Sequence, residues 1–126
     1  MSIRHNCDHG GCYIKTQSPD WGFLDNAFSG RIKVGDIDGI VEANGHVLII
    51  EWKGAGVPIP RGQEIMFEQI TKKNLITVYV VNGDPAESVS SHLKVYSNGS
   101  ITYDKPCNND LLRKMCTYWE RKARSS

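Results

Sequence analysis

The sequence predicts an α/β domain built on a mixed sheet, and three observations carry the prediction. Two apolar β-type runs, His46 to Trp52 and Leu75 to Val81, are separated by one amphipathic helical stripe, the arrangement of a strand–helix–strand crossover between parallel strands. Asn44-Gly45 and Asn98-Gly99 are tight hairpin turns, which demand antiparallel neighbours. A last amphipathic segment, from about Asn108 to Lys122, closes the chain as a helix.

Taken in order, residues 1–19 are polar and Gly-containing and form an amino-terminal segment. Phe23, Leu24, Ala27 and Phe28 then recur at helical spacing, so one short helix is expected there, ended by Ser29-Gly30. From Lys33 to Glu42 the pattern turns β-like, with Val34, Ile37, Ile40 and Val41 interrupted by Gly and Asp. The run from His46 to Trp52, bounded by Gly45 and Gly54, reads as a strand buried on both faces and central to the sheet. Gln63, Met66, Phe67 and Ile70 stand at i, i+3, i+4 and i+7 within Arg61 to Asn74, the stripe of a helix packed on a sheet. Leu75 to Val81 is a second buried strand, stopped by Asn82-Gly83-Asp84-Pro85. A hairpin of Leu93 to Ser97 and Ser100 to Tyr103 follows, and the terminal helix carries Leu111, Leu112, Met115 and Trp119 inward. The expected order is α-β-β-α-β, then hairpin and helix. With a core over 20–81 and a carboxy-terminal part over 82–126, the whole is read as a single domain.

Composition agrees with one core and narrows the function classes. The 126 residues are 23% charged and 40% hydrophobic, enough apolar matter for one core of ordinary size. No apolar run reaches the length of a membrane span, and the opening residues lack a signal peptide's apolar stretch, so a cytoplasmic protein with no membrane partner is expected. A net charge of +1 gives no whole-chain electrostatic footprint for nucleic acid, which leaves local charge or a metal to bind it. Local basic groups exist: Arg31 and Lys33, Lys72-Lys73, and Arg113, Lys114, Arg121, Lys122 and Arg124 in the last helix. Those at helix ends also suit the helix dipole. Cys7 and Cys12, with His5 and His9 around Gly10-Gly11, could hold a structural zinc ion, alone or with Cys107 or Cys116. Free thiols in a polar tail are the simpler account. Cys116, on the inward stripe of the last helix, reads as a small core residue.

The chemistry-bearing residues sit where charges are costly. In Ile49-Ile50-Glu51-Trp52-Lys53 the side chains of Glu51 and Lys53 share a face, because alternate residues of a strand point the same way. The turn at Asn44-Gly45 folds the Asp36-Ile37-Asp38-Gly39 stretch back beside them, so Asp38 and Glu51 can converge from adjacent strands with Lys53 alongside. Two carboxylates suit a hard divalent cation such as magnesium or manganese, and a lysine beside them can orient a water or neutralise charge on a phosphate.

This pattern, Asp38 followed after the turn by Glu51-Trp52-Lys53, resembles the D…(D/E)xK signature of the PD-(D/E)XK phosphodiesterase superfamily. The stretch from Asp38 to Lys53 is similar to the corresponding strands of archaeal Holliday-junction resolvases and VRR-NUC nucleases, and the wider Cys7–Gly54 pattern to small nuclease-like phage proteins. The resemblance covers about residues 20–81 and implies a restriction-endonuclease-like αβββαβ core. It further implies Asp38 and Glu51 as metal ligands, the main-chain carbonyl of Trp52 completing the metal site, and Lys53 positioning or activating the attacking water. Gln63, on the helix after the E-x-K strand, would support the site, and Asp36 is the alternative to Asp38. Many members carry a Glu on the first helix; this chain has none between Cys12 and Val41, and Asp25 or Asp20 could stand in. The implied activity is a magnesium-dependent DNA endonuclease, structure-directed or weakly sequence-specific, acting as a homodimer. A non-catalytic nucleic-acid- or partner-binding module on the same fold is the alternative. A zinc-stabilised interaction domain organised by Cys7 and Cys12 is a third reading.

Overall fold

The two Asn-Gly pairs do in three dimensions what their chemistry requires. Asn44 and Gly45 take φ of 53° and 81°, and Asn98 and Gly99 take 55° and 83°, the left-handed pairs that turn twisted strands back on themselves. The computed structural model describes residues 19–30, 32 and 34–126. Cys7 and Cys12, and the basic pair Arg31 and Lys33, lie outside the described residues. The chain divides between Asp36 and Ile37 into two compact units.

In the first unit, a short 3-10 turn, Trp21–Leu24, stands where the sequence suggests a helix running to Phe28. Asp20 caps it by accepting the Gly22 amide at 2.8 Å, and Asn26 and Gly30 adopt positive φ, which breaks any helical continuation. Trp21, Phe23 and Phe28 are exposed rather than packed as a helical stripe. Asp25 closes the turn through its backbone, donating to the Gly22 carbonyl at 3.0 Å.

The second unit holds one five-stranded mixed sheet of β1 (Gly39–Ala43), β2 (His46–Gly54), β3 (Ile76–Asp84), β4 (Val89–Ser97) and β5 (Ser100–Pro106), lying in that order. Helices α1 (Arg61–Ile70) and α2 (Asn109–Arg124) complete it. β2 and β3 pair parallel, as the crossover through α1 requires, and every other pair is antiparallel. The mixed α/β architecture and the order of elements after residue 36 are therefore those expected. Two strands precede α1 among the described residues, against three in the αβββαβ order.

Several boundaries differ for identifiable reasons. The strand expected from Lys33 is ordered as a strand only from Gly39, because the side chain of Asp38 takes the next ladder position on β2. β2 is interior but not central; the middle strand is β3, whose Val78, Tyr79, Val80 and Val81 are buried. β3 runs on through Asn82 and Gly83 by way of a bulge instead of stopping there. α1 ends at Ile70, short of Asn74, since the Thr71 hydroxyl bonds the Phe67 carbonyl at 2.7 Å and accepts the Gly99 amide at 3.1 Å. Those two bonds fasten the end of α1 to the β4–β5 turn. Asn74 then enters the left-handed region at φ 67°.

Each sheet face buries its own cluster. Leu48, Tyr79, Val81, Leu93 and Val95 pack with Trp119 and Ala123 of α2, and Cys116 packs against this cluster as expected of a small core residue. Asn108 caps α2 by accepting the Leu111 amide at 2.8 Å. On the opposite face, Ile49, Val78, Val80 and Tyr96 meet Phe67 of α1. Phe67 is the centre of the inward stripe, with Gln63 and Ile70 half-buried beside it; Met66, one residue round the helix, is 46% exposed instead. Among the described residues no helix is long and apolar enough to cross a membrane.

Candidate functional site

Alternation along β2 decides which side chains meet. Ile49 enters the cluster under α1, so Glu51 and Lys53, two and four residues on, project from that same face. Trp52 points the other way and packs against the α2 cluster, where Gly83 of β3 leaves room for its ring. Glu51 is therefore a carboxylate in the interior of a sheet, 9% exposed. Such a group persists only with partners.

Two partners converge on one of its oxygens. Gln63 Nε2, from the first turns of α1, donates to Glu51 Oε1 at 3.3 Å, and Lys53 Nζ stands 3.6 Å from the same atom. The Gln63 amide oxygen is buried and has no hydrogen-bond partner among the described residues. A buried acceptor left open beside a carboxylate and an ammonium is suited to a water that the protein alone does not supply.

Asp38 reaches the site by a different route. Its Oδ2 accepts the backbone amide of Trp52 at 2.8 Å, which fixes the carboxylate against β2 beside Glu51. The bond leaves Oδ1 outside it. Burial pushes the Glu51 carboxyl above its ordinary range, the negative charge of Asp38 pushes it the same way, and Lys53 and Gln63 pull it down less strongly. The Asp38 charge thus adds to the cost of ionising the buried Glu51, and a cation beside Glu51 would relieve it.

Two of these side chains could hold a hard divalent ion. Asp38 and Glu51 are the two oxygen-bearing carboxylates, and among the described residues no group of three or more His, Cys, Asp or Glu side chains stands together. Magnesium commonly takes one or two carboxylates and completes its shell with water and phosphate oxygens, so two suffice where the substrate is itself a phosphate.

The structure thus brings Asp38, Glu51, Lys53 and Gln63 to one region of the second unit. Asp25 and Asp36 belong to the first unit. Sequence reading missed Asn82, taken there only as a strand stop. It lies opposite Lys53 in the sheet and donates from Nδ2 to the carbonyls of Gly54 at 3.0 Å and Val57 at 2.8 Å. Those bonds hold the loop that leaves the Glu51–Lys53 strand. A polar residue ending an apolar β-run was the available signal. No protein family, curated protein or solved structure matches the chain.

Proposed function

We propose that the chain is a metal-dependent phosphodiesterase of the PD-(D/E)XK type that hydrolyses DNA. The observation that carries the reading is the docking of Asp38 on the Trp52 amide next to Glu51, while Glu51 shares one oxygen with Lys53 and Gln63. A structural ion pair on an exposed strand needs neither the second carboxylate nor an open buried amide oxygen.

Asp38, Glu51 and the Trp52 carbonyl would hold magnesium or manganese, which when bound polarises a phosphate oxygen and acidifies water. The side chains have separable tasks. The Lys53 ammonium offers hydrogen bonds to the attacking water or to the oxygens on which charge grows as the new P–O bond forms and the leaving P–O bond breaks. The open Gln63 oxygen accepts a proton of that water in a hydrogen bond, which orients its lone pair. Half-burial of Lys53 and Gln63 keeps competing solvent off both.

The test offers plasmid, single-stranded and four-way-junction DNA to the wild type, Glu51→Ala and Lys53→Ala with magnesium, manganese or EDTA. Metal-dependent cleavage that both substitutions abolish is the expected result, and the DNA form cut identifies the substrate. DNA binding without cleavage of any form would overturn the enzyme in favour of a binding module.

A further inference from the structure

α2 turns one composition inward and another outward. Met115, Cys116, Trp119 and Ala123 pack into the cluster around Tyr79 and Leu93. Between them Arg113, Lys114, Thr117, Tyr118, Arg121 and Lys122 are exposed. Counted from Lys114, the last four recur at i+3, i+4, i+7 and i+8, which gathers them on one outward face with Arg113 beside it. That face holds four cations and no carboxylate. α2 as a whole carries five basic and two acidic residues, while the full chain is only +1, so the remainder of the molecule is net negative.

Neither ion pairing nor the helix dipole accounts for this face. Glu120 is taken by Arg124, whose Nε lies 2.8 Å from it. Asp110 precedes Arg113 by three residues and Lys114 by four, the spacing of a helical ion pair. Even so, among the described residues no carboxylate pairs with Arg113, Lys114, Arg121 or Lys122. On α1, by contrast, Arg61 meets both Glu64 and Glu68. The dipole favours Arg121 and Lys122 in the last turn of α2, but Arg113 and Lys114 stand in its second turn, towards the positive end. Lys114 and Arg121 are seven residues apart on nearly the same line, about 10 Å along the axis.

We propose that the outward face of α2 binds the phosphodiester backbone of a nucleic acid, with Lys114 and Arg121 on separate phosphates and Arg113 and Lys122 flanking them. Charge complementarity points to a polyanion, and the rest of the helix narrows the choice. A basic helix that docks on a membrane sinks its apolar face into the lipid, but the apolar face of α2 is already buried on the sheet. A protein interface needs an apolar or aromatic centre, and Tyr118 is the one large apolar side chain on this face. Nucleic-acid interfaces are polar and positive, as this face is. Glu51 projects from the opposite side of the sheet, so the surface goes beyond the nuclease reading and does not depend on it.

The experiment measures binding of a fluorescein-labelled oligonucleotide, single-stranded and duplex, in EDTA across a salt series. The proteins are the wild type, Lys114→Gln/Arg121→Gln, the charge-keeping Lys114→Arg/Arg121→Lys, and Lys72→Gln/Lys73→Gln. The last removes equal charge from two exposed lysines just after α1. Lys114→Gln/Arg121→Gln is expected to weaken binding on the order of 10-fold. It should also lower the slope of log affinity against log salt by two phosphate contacts, about 1.4 for the single strand and about 1.8 for the duplex. The other two variants should stay near wild type. Wild-type affinity and slope in Lys114→Gln/Arg121→Gln would overturn the proposal, as would absence of binding by the wild type. An equal loss in Lys72→Gln/Lys73→Gln would overturn it too, by assigning the binding to overall charge. Binding of poly-glutamate or phosphatidylserine vesicles that depends on Lys114 and Arg121, with none of the oligonucleotides, would give the face to an acidic protein or a membrane instead.

Discussion

Asp38 Oδ2 accepts the Trp52 amide proton at 2.8 Å, so a side chain occupies the ladder position on β2 just before β1 begins at Gly39. One residue thereby sets the start of a strand and delivers a carboxylate. The two roles separate by substitution. Asp38→Asn keeps an oxygen acceptor for Trp52 and loses the charge; its unfolding free energy should stay within about 0.5 kcal/mol of wild type. Asp38→Ala should cost about 0.5–1.5 kcal/mol, the net worth of the lost hydrogen bond. Both should lose manganese binding in calorimetry. A large stability loss in Asp38→Asn, with metal binding retained, would show that the carboxylate is purely structural.

Glu51 gives a pH dependence whose sign is fixed. Its folded-state pKa is raised, chiefly by burial and then by Asp38, so between the unfolded value near 4.3 and the higher folded value the native chain binds more protons than the unfolded one. Stability falls as pH rises through that window and the penalty is complete above it. In EDTA, Glu51→Gln should melt above the wild type at pH 7, with the difference shrinking towards zero near pH 4. Melting curves of the two proteins over this range measure it directly. A Glu51→Gln protein that melts lower at every pH would mean that its ion pair with Lys53 outweighs the burial.

Gln63 touches Glu51 only through its amide, so its contribution is one of orientation. Gln63→Leu retains the helix position and removes both the donor and the open oxygen. Loss of such a supporting hydrogen bond typically lowers metal affinity or turnover about 10- to 100-fold. The expected result is that range for manganese affinity or for kcat, with the melting temperature little changed. An unchanged affinity and rate would place Gln63 in the packing of α1 alone.

Legibility in the sequence followed the range of the forces involved. Turns set by Asn-Gly pairs, the buried runs of β2 and β3 and the stripe around Phe67 are local patterns, and they were readable. That the Asp38 segment folds back beside β2 was readable too, since one two-residue turn joins β1 to β2. What was hidden depends on side chains competing with the backbone. Asp38 sets the start of β1 at Gly39, Thr71 shortens α1, and Asn26 at positive φ stops a helix after one turn. Neither periodicity nor propensity records which acceptor wins. The register of Lys53 with Asn82 and of Asn82 with His92 was hidden for another reason: it exists only once three strands are paired.

Gly83 sits at the bulge where that register shifts, and its lack of a side chain has a specific cause. A Cβ there would lie 2.1 Å from the Val89 carbonyl oxygen, 2.9 Å from Ser90 Cα and 3.0 Å from the Trp52 ring. Two of these are backbone atoms of β4 and cannot turn aside. Gly83→Ala should therefore destabilise by about 2–3 kcal/mol, the range of an overpacked core, and push on Trp52, the residue between Glu51 and Lys53. Gly62→Ala is the matching control. Gly62 lies in α1 with nothing within 4 Å of its would-be Cβ, so alanine should stabilise by about 0.5–1 kcal/mol. Urea midpoints moving in opposite directions, with equal slopes, are the expected outcome. A tolerated Gly83→Ala would mean that β3 and β4 separate at the bulge more easily than their close approach implies.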